Sequence, residues 1–475
     1  MGQFRPLRGV RILSFEAAFS LPAGTRTLAE LGADVVQVSR PARVSGDYIT
    51  VVDGNALSKS SLAVDLRHAE GQSLARRLAL VADAVCNNFR PRVLRGYGLD
   101  PAALRAARPD LIWLQLSGYG TPGPWQDYPA YGPSVEAVGG MNALSGEADD
   151  PPVRVGSGVF ADQASGRYAA LALIAALERR RRTGQGAEID LSMYESIVHL
   201  LGDRIVSGAA RGAPPTRRGN RDAVHAPQGI YPCRSDERGT LSDEPQDAAR
   251  RSSLVAHRSD QWLALTVATD AQWRALRELV GDDRLCDPTL ERAEGRRAAN
   301  DAIDAVIAAW TRGLEKNEAA ALLQARGIAA GPVQAPGDLL YDPHLAARGA
   351  FSIVRHARPF VGAEAHPHLT TPWTARGSRR HALEDAPGDG AHNARVLRRW
   401  LGLRPAQVAR LEREGALMAF RAYQPVPPVG ELPPSPPDLT RFAPLTPPPS
   451  LAGTGVPTRH RETSAGRETA RGVRS

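Results

Sequence analysis

Asp162 is the residue of this chain whose type and position best suit covalent chemistry. It stands in Phe160-Ala161-Asp162-Gln163-Ala164-Ser165, at the start of a helix expected over 163–182 and stopped by Thr183-Gly184-Gln185-Gly186. One reading is an N-cap, whose carboxylate accepts from the first free amides of the helix. The other is a nucleophile. The helix dipole favours an anion there, and a carboxylate can attack a thioester carbonyl, because the anhydride formed divides one hard transfer into easier steps. Spacing alone leaves both open.

Three further groups could recognise a polyanionic ligand. Arg40, in Ser39-Arg40-Pro41, closes the second expected strand. A cation there suits a ribose phosphate, as in NADP or the 3′-phosphate of coenzyme A; the alternative is a solvated surface arginine. Lys59 and Lys316 are the only lysines in a chain that otherwise uses arginine. Lys59 offers a compact point charge, or is a chance survivor of an arginine-biased composition. Asn88-Phe89-Arg90-Pro91 follows a strand, where open α/β sheets bind ligands; alternatively Phe89 is simply core.

Other chemistries find no support. The first strand–helix turn, Ser14-Phe15-Glu16-Ala17-Ala18-Phe19-Ser20-Leu21-Pro22, lacks the GxGxxG of a dinucleotide site, so an NADP-binding domain is a distant alternative. G-x-S-x-G is missing, and the histidines lack HExxH or other ligand spacing, so no metal is expected. His356 and His366 fall in a polar stretch expected to be a solvated loop. Cys86, Cys233 and Cys286 are scattered, with neither a disulfide framework nor a CxxC pair.

Alternating elements would position these residues. Strands are expected over 10–14, 34–38, 62–66, 84–86, 111–115 and 188–192, with helices over 22–31, 68–81 and 101–107 between them. That alternation predicts an α/β fold with a mostly parallel sheet. A Pro- and Arg-rich stretch over 213–220 leads into a second region, with a strand over 262–267 and helices near 271–280, 298–310 and 316–325. Strand and loop follow from about 350, then a helix over 392–401. Beyond 422 the chain is dense in proline, then rich in Gly, Ser and Arg. Such a segment buries too little apolar surface to offset its ordering entropy and is expected to be disordered.

A chain of 475 residues is long for one core, so two domains with tails are expected. No apolar run approaches the ~18 residues that a membrane span needs. Neither a signal peptide nor a myristoylation pattern opens the sequence, and a cytoplasmic protein is expected. The net charge of +8 raises nucleic acid as a partner. No reader motif accompanies it, and a surface suited to small polyanions accounts for it equally.

Taken together, these segments resemble the family III CoA-transferases, which include formyl-CoA and carnitine CoA-transferases and the related α-methylacyl-CoA racemases. The resemblance runs from Leu7 to about Leu417 and rests on four stretches in order. They are LRGVRILSFE with LAELGADVVQVSRP, ADAVCNNFRPRVLRGYGLDPAALRAARPDLIWLQLSGYG, FADQASGRYAALALIAALERRRRTGQGAEIDLSMYES, and GIAAGPVQAPGDLLYDPHLAARGAF.

The resemblance implies a Rossmann-like large domain over 1–212 and 346–422, joined by a linker at 213–225 to an inserted smaller α/β domain over 226–345. It also implies an interlocked homodimer. Asp162 falls on the family's nucleophile. Arg40 and Lys59 fall on residues that hold CoA phosphates, and Ala18, Phe19 and Ser20 on the loop near the cofactor. Asn88, Phe89 and Arg90 fall on contacts to the nucleotide and pantetheine. The implied reactants are an acyl-CoA and a carboxylic acid, with coenzyme A arriving as substrate and no tightly bound cofactor.

The sequence also departs from the family pattern. Ser39 replaces the usual Glu, and Pro129 a basic residue that some members present to CoA. The polar run 235–259 is not glycine-rich, unlike the lid some transferases carry there, and is expected to be an insertion. In the racemase branch a histidine precedes the nucleophile; here Tyr131 occupies that position, and a phenol is a poor base at neutral pH. Tyr131 is expected to contact substrate or pack in the pocket wall. An acyl-CoA racemase and a catalytically impaired CoA-binding homologue are the alternatives.

Overall fold

Six short strands, apolar and flanked by helices, form one sheet: β1 (Arg11–Phe15), β2 (Asp34–Ser39), β3 (Ser60–Ala63), β4 (Ala84–Asn87), β5 (Ile112–Ser117) and β6 (Glu188–Ser192). The computed structural model describes residues 2–39, 54–155, 159–235, 261–360 and 363–418. The strand order is β3-β2-β1-β4-β5-β6, and every pair is parallel. β4 and β5 are buried along their whole length, because helices cover both faces of a parallel sheet.

One face carries α1 (Ser20–Glu30), α4 (Gly132–Val138), α5 (Phe160–Thr183) and α6 (Met193–Leu200), packed through Leu21, Leu28, Val135, Leu173 and Ile197. α7 (Gly202–Arg211) follows with no buried residue. The other face carries α2 (Ala69–Val81) and α3 (Pro101–Ala107), through Leu74, Leu78 and Leu104.

From β1 the chain moves outward to β2 and β3, then returns across β1 to β4. The carboxyl ends of β1 and β4 therefore flank a topological switch point, where open α/β sheets form their ligand crevice.

A second sheet pairs β7 (Gln228–Pro232), β8 (Trp262–Thr266) and β9 (Ala329–Pro332) antiparallel. Its own apolar core includes Trp273 of α8 (Asp270–Val280), Ile307 of α9 (Asn300–Thr311) and Leu323 of α10 (Lys316–Gln324). The chain then forms a hairpin, β10 (Phe351–Phe360) with β11 (Ala363–Leu369), and rejoins the parallel sheet. There α11 (Asn393–Leu401) and α12 (Pro405–Arg413) add Val396, Trp400 and Leu411 to the core. Asn393 Oδ1 accepts from the Ala63 amide at 3.0 Å, and Val64 bridges to Leu417.

Several boundaries differ from expectation. α1 starts at Ser20 rather than 22, because Pro22 is tolerated in a first turn. β3 lies at Ser60–Ala63, not 62–66. α5 begins at Phe160, three residues early, so Asp162 is inside the first turn. α4, α6, α7 and α12 were not anticipated. The histidines expected in a solvated loop lie on the β10–β11 hairpin. The His356 side chain is only 5% exposed and bonds Asp385 through Nδ1 at 2.7 Å. The insertion (apart from Ser235), Arg40 and the tail lie outside the described residues.

Candidate active site

The β1–α1 turn stands at the carboxyl end of β1, beside the switch point. Asn88, just past β4, fastens that turn: its Oδ1 accepts from the Ala17 amide at 2.9 Å, and its Nδ2 donates to Ala17 O at 2.7 Å and to Ser20 Oγ at 3.1 Å. Within the turn Ala18 has φ 55°, in the left-handed region that non-glycine residues seldom enter. Such strain persists only where the surroundings impose it, and here Asn88 grips both sides.

α5 meets α1 at a pair of glycines. A methyl group on Gly24 would stand 2.3 Å from Gly166 O, and one on Gly166 would stand 2.3 Å from Ser20 O. Asp162 precedes Gly166 by four residues and lies on the same face of α5, the face that meets α1. Val159 occupies the cap position without a side-chain bond, which places Asp162 third in the helix. The N-cap reading is therefore corrected.

Asp162 is 6% exposed. Burial, and after it the nearby charge of Glu136, pushes its carboxyl up to about 6, against a bond from its own backbone amide. A carboxylate with a raised pKa is a stronger nucleophile once ionised, and strongly shifted carboxyls in a crevice mark functional sites. Glu136, on α4, is fully buried and accepts from the Ala161 amide at 3.1 Å.

The sequence model of CoA-transferase family III matches residues 7–241 and 237–393. The chain belongs to that family. A probable CoA-transferase of Mycobacterium tuberculosis, Rv1866, is 31% identical over 425 residues, covering 86% of this chain and 50% of that protein. This chain thus spans half the length of that relative. A succinyl-CoA–D-citramalate CoA-transferase of Chloroflexus aurantiacus is 30% identical over 430 residues, covering 86% of this chain and 97% of that one. A solved CAIB/BAIF family protein from Brucella suis superimposes with a TM-score of 0.70 at 26% identity, over 84% of this chain and all of that one.

The residues that the resemblance singles out differ in exposure. Ala18 is exposed, Phe19 half-buried and Ser20 buried beside Asn88. Phe89 packs against the core beneath the sheet while its carbonyl accepts from Gln115 at 2.6 Å, and Arg90 is exposed. Tyr131 caps α4, the helix of Glu136, and is 74% exposed in the single chain.

Lys59 requires correction. Its side chain has no exposure, and Nζ donates to Glu16 Oε1 at 2.6 Å, Thr25 Oγ1 at 2.7 Å and Pro22 O at 3.0 Å. An ammonium has three donors, and all are used. Lys59 is therefore a buried strut that ties β3 to α1, not a phosphate ligand. Burial lowers its pKa despite the Glu16 carboxylate. Glu16, which the sequence reading passed over, also accepts from Ser14 and Thr25 hydroxyls at 2.6 Å each.

Two other groupings escaped the sequence reading. Tyr119, Trp125, Tyr128 and Tyr194 cluster beyond β5, with Tyr119 and Trp125 meeting edge-on at 5.6 Å. On the hairpin, His356 Nε2 lies 3.0 Å from His368 Nε2. Burial and then the adjacent His356 push His368 down to about 4. Among the described residues no group of three or more His, Cys, Asp or Glu is arranged to hold a metal ion, and no helix is long and apolar enough to cross a membrane.

Proposed function

We propose that this protein moves coenzyme A from an acyl-CoA thioester to a carboxylic acid, with Asp162 as the covalent nucleophile. The placement of Asp162 carries the reading: a buried carboxyl in the first turn of α5, one helical turn before the contact of Gly166 with Ser20 and Gly24 of α1. Its ionised carboxylate attacks the donor carbonyl and the C–S bond breaks, giving CoA thiolate and an aspartyl anhydride. The thiolate attacks the aspartyl carbonyl, which expels the donor acid as carboxylate and leaves an aspartyl-CoA thioester. The acceptor carboxylate then runs the two steps in reverse, releasing acceptor-CoA and restoring Asp162. Each tetrahedral oxyanion requires nearby N–H donors.

In this reading Ala18, Phe19 and Ser20 line the CoA path, and Asn88, Phe89 and Arg90 flank its nucleotide and pantetheine. Arg40 meets a phosphate, and Tyr131 stands where substrate enters. Coenzyme A comes and goes as substrate. Residues 1–212 and 346–422 make the CoA-binding domain and 226–345 the smaller inserted one, a division supported by their separate cores. Two copies interlock; the exposed Ile205 and Val206 of α7 fit burial against a second copy.

Succinyl-CoA, the donor named for the Chloroflexus relative, is the first to try. A mass-spectrometric screen of acyl-CoA donors against carboxylic acids should detect a new acyl-CoA with the wild type and none with Asp162→Ala. Transfer at wild-type rate by the alanine variant would defeat the proposal.

A further inference from the structure

Glu136 has a peculiar environment for an acid. It is fully buried, one oxygen accepts from the Ala161 amide, and the other makes no hydrogen bond among the described residues. Among the described residues the nearest cation to that second oxygen, Arg154 Nε, stands off at 3.9 Å and is 46% exposed. A buried carboxylate normally has its oxygens satisfied, because an unpaired one carries the full desolvation penalty. Ala161 is the neighbour of Asp162 in the first turn of α5. Two carboxyls therefore compete for one helix N-terminus, whose partial positive charge is only about half an elementary charge.

We infer that Glu136 is a positioning residue for the nucleophile: it anchors the first turn of α5 through the Ala161 amide, and its charge opposes ionisation of Asp162. The inference rests on the proposed role of Asp162 and deepens it. Like charges in a shared dry site cannot both ionise freely. Asp162 keeps its proton at mildly acid pH and is a more basic nucleophile when it loses it.

Other groups around Asp162 are placed to contribute less. On α1, Arg26 and Glu30 lie further along and pair with each other at 2.7 Å, while Arg167 of α5 donates to Ala23 O at 3.1 Å. The Glu16–Lys59 pair is mutually neutralised behind the β1–α1 turn. On α6, Glu195 is exposed and His199 stacks edge-on against Tyr168.

The test has two variants with opposite signs and two readouts. Glu136→Gln keeps an acceptor for the Ala161 amide but removes the charge. The acid limb of its kcat/KM profile for CoA transfer should move down by about one pH unit, a tenfold change in proton affinity. Arg154→Gln leaves Glu136 less compensated and should move the limb up by a few tenths of a unit. Carbon-13 NMR titration of the Asp162 carboxyl, assigned with Asp162→Asn, should show the same shifts without any turnover. It therefore still decides the question if no donor and acceptor pair is ever found. A purely structural Glu136 would lower thermal stability and leave both the limb and the titration where they are. Unchanged profiles in both variants overturn the inference, and if Glu136→Gln does not fold, the Arg154→Gln shift decides alone.

Discussion

Gly24 of α1 and Gly166 of α5 touch backbone to backbone: a methyl group on Gly24 would fall 2.3 Å from Gly166 O. This contact sets how close α5 comes to the start of α1. In an isolated helix, Gly166→Ala would add about 1 kcal/mol of stability through propensity. Here overpacking opposes it, typically by about 1–3 kcal/mol, and the obstructing atoms are backbone that cannot rotate away. Urea denaturation should show net destabilisation, with turnover falling more than CoA affinity. A stabilised, fully active alanine variant would refute the contact.

Asp162 binds its proton more tightly in the fold than in the unfolded chain, since its pKa is raised from 3.8 to about 6. Its contribution to stability is therefore complete below about pH 4 and is lost as pH rises through about 6. By linkage the loss is roughly 3 kcal/mol at most. Asp162→Asn should abolish transfer yet melt higher than wild type at pH 7.5, with the difference closing near pH 4. Thermal melts at the two pH values check it; equal differences at both would show that burial of charge is not the cause.

Lys59 and Arg40, paired by resemblance, should separate in experiment. Lys59→Met leaves Glu16 buried without its cation, which destabilises by about 3–5 kcal/mol, and any fall in affinity should be equal for CoA and dephospho-CoA. Arg40→Ala should leave stability within about 0.5 kcal/mol and weaken CoA more than dephospho-CoA. Calorimetric titration with both ligands distinguishes them. A selective loss of CoA binding in a stable Lys59→Met protein would restore Lys59 as a phosphate ligand.

The parallel sheet was legible because its strands are short apolar runs separated by helical patterns, and the position of Asp162 was legible from its run. The true start of α5 was not. Phe160 and Ala161 carry no cap signal, and Val159 supplies no side-chain bond. Lys59 drew its phosphate role from the resemblance, and only the three-dimensional placing of Glu16 and Thr25 shows it buried. Glu136 was invisible because its meaning lies in α4 packing against α5. The Gly24–Gly166 contact likewise joins residues 142 positions apart, beyond any local pattern.

Tyr131 caps α4 and is 74% exposed, at the position where the racemase branch of the resemblance has a histidine. Exchange of a carbon-bound proton needs a base and an acid about the α-carbon. Incubation with a 2-methylacyl-CoA in deuterated water, without an acceptor acid, should give no enzyme-dependent α-deuterium by mass spectrometry. Rapid stereochemical scrambling with solvent label would replace the transferase assignment with a racemase.

The proposed transfer requires a covalent bond to Asp162, and trapping that bond tests it. Wild-type protein mixed with succinyl-CoA, quenched in acid within one turnover and digested with trypsin, should carry a succinyl or CoA mass on residues 155–167, the peptide that contains Asp162. Hydroxylamine before the quench should convert that mass to a hydroxamate, and Asp162→Asn should show neither. An unmodified peptide from protein that is visibly transferring CoA, or an adduct on another residue that persists in Asp162→Asn, would contradict the account.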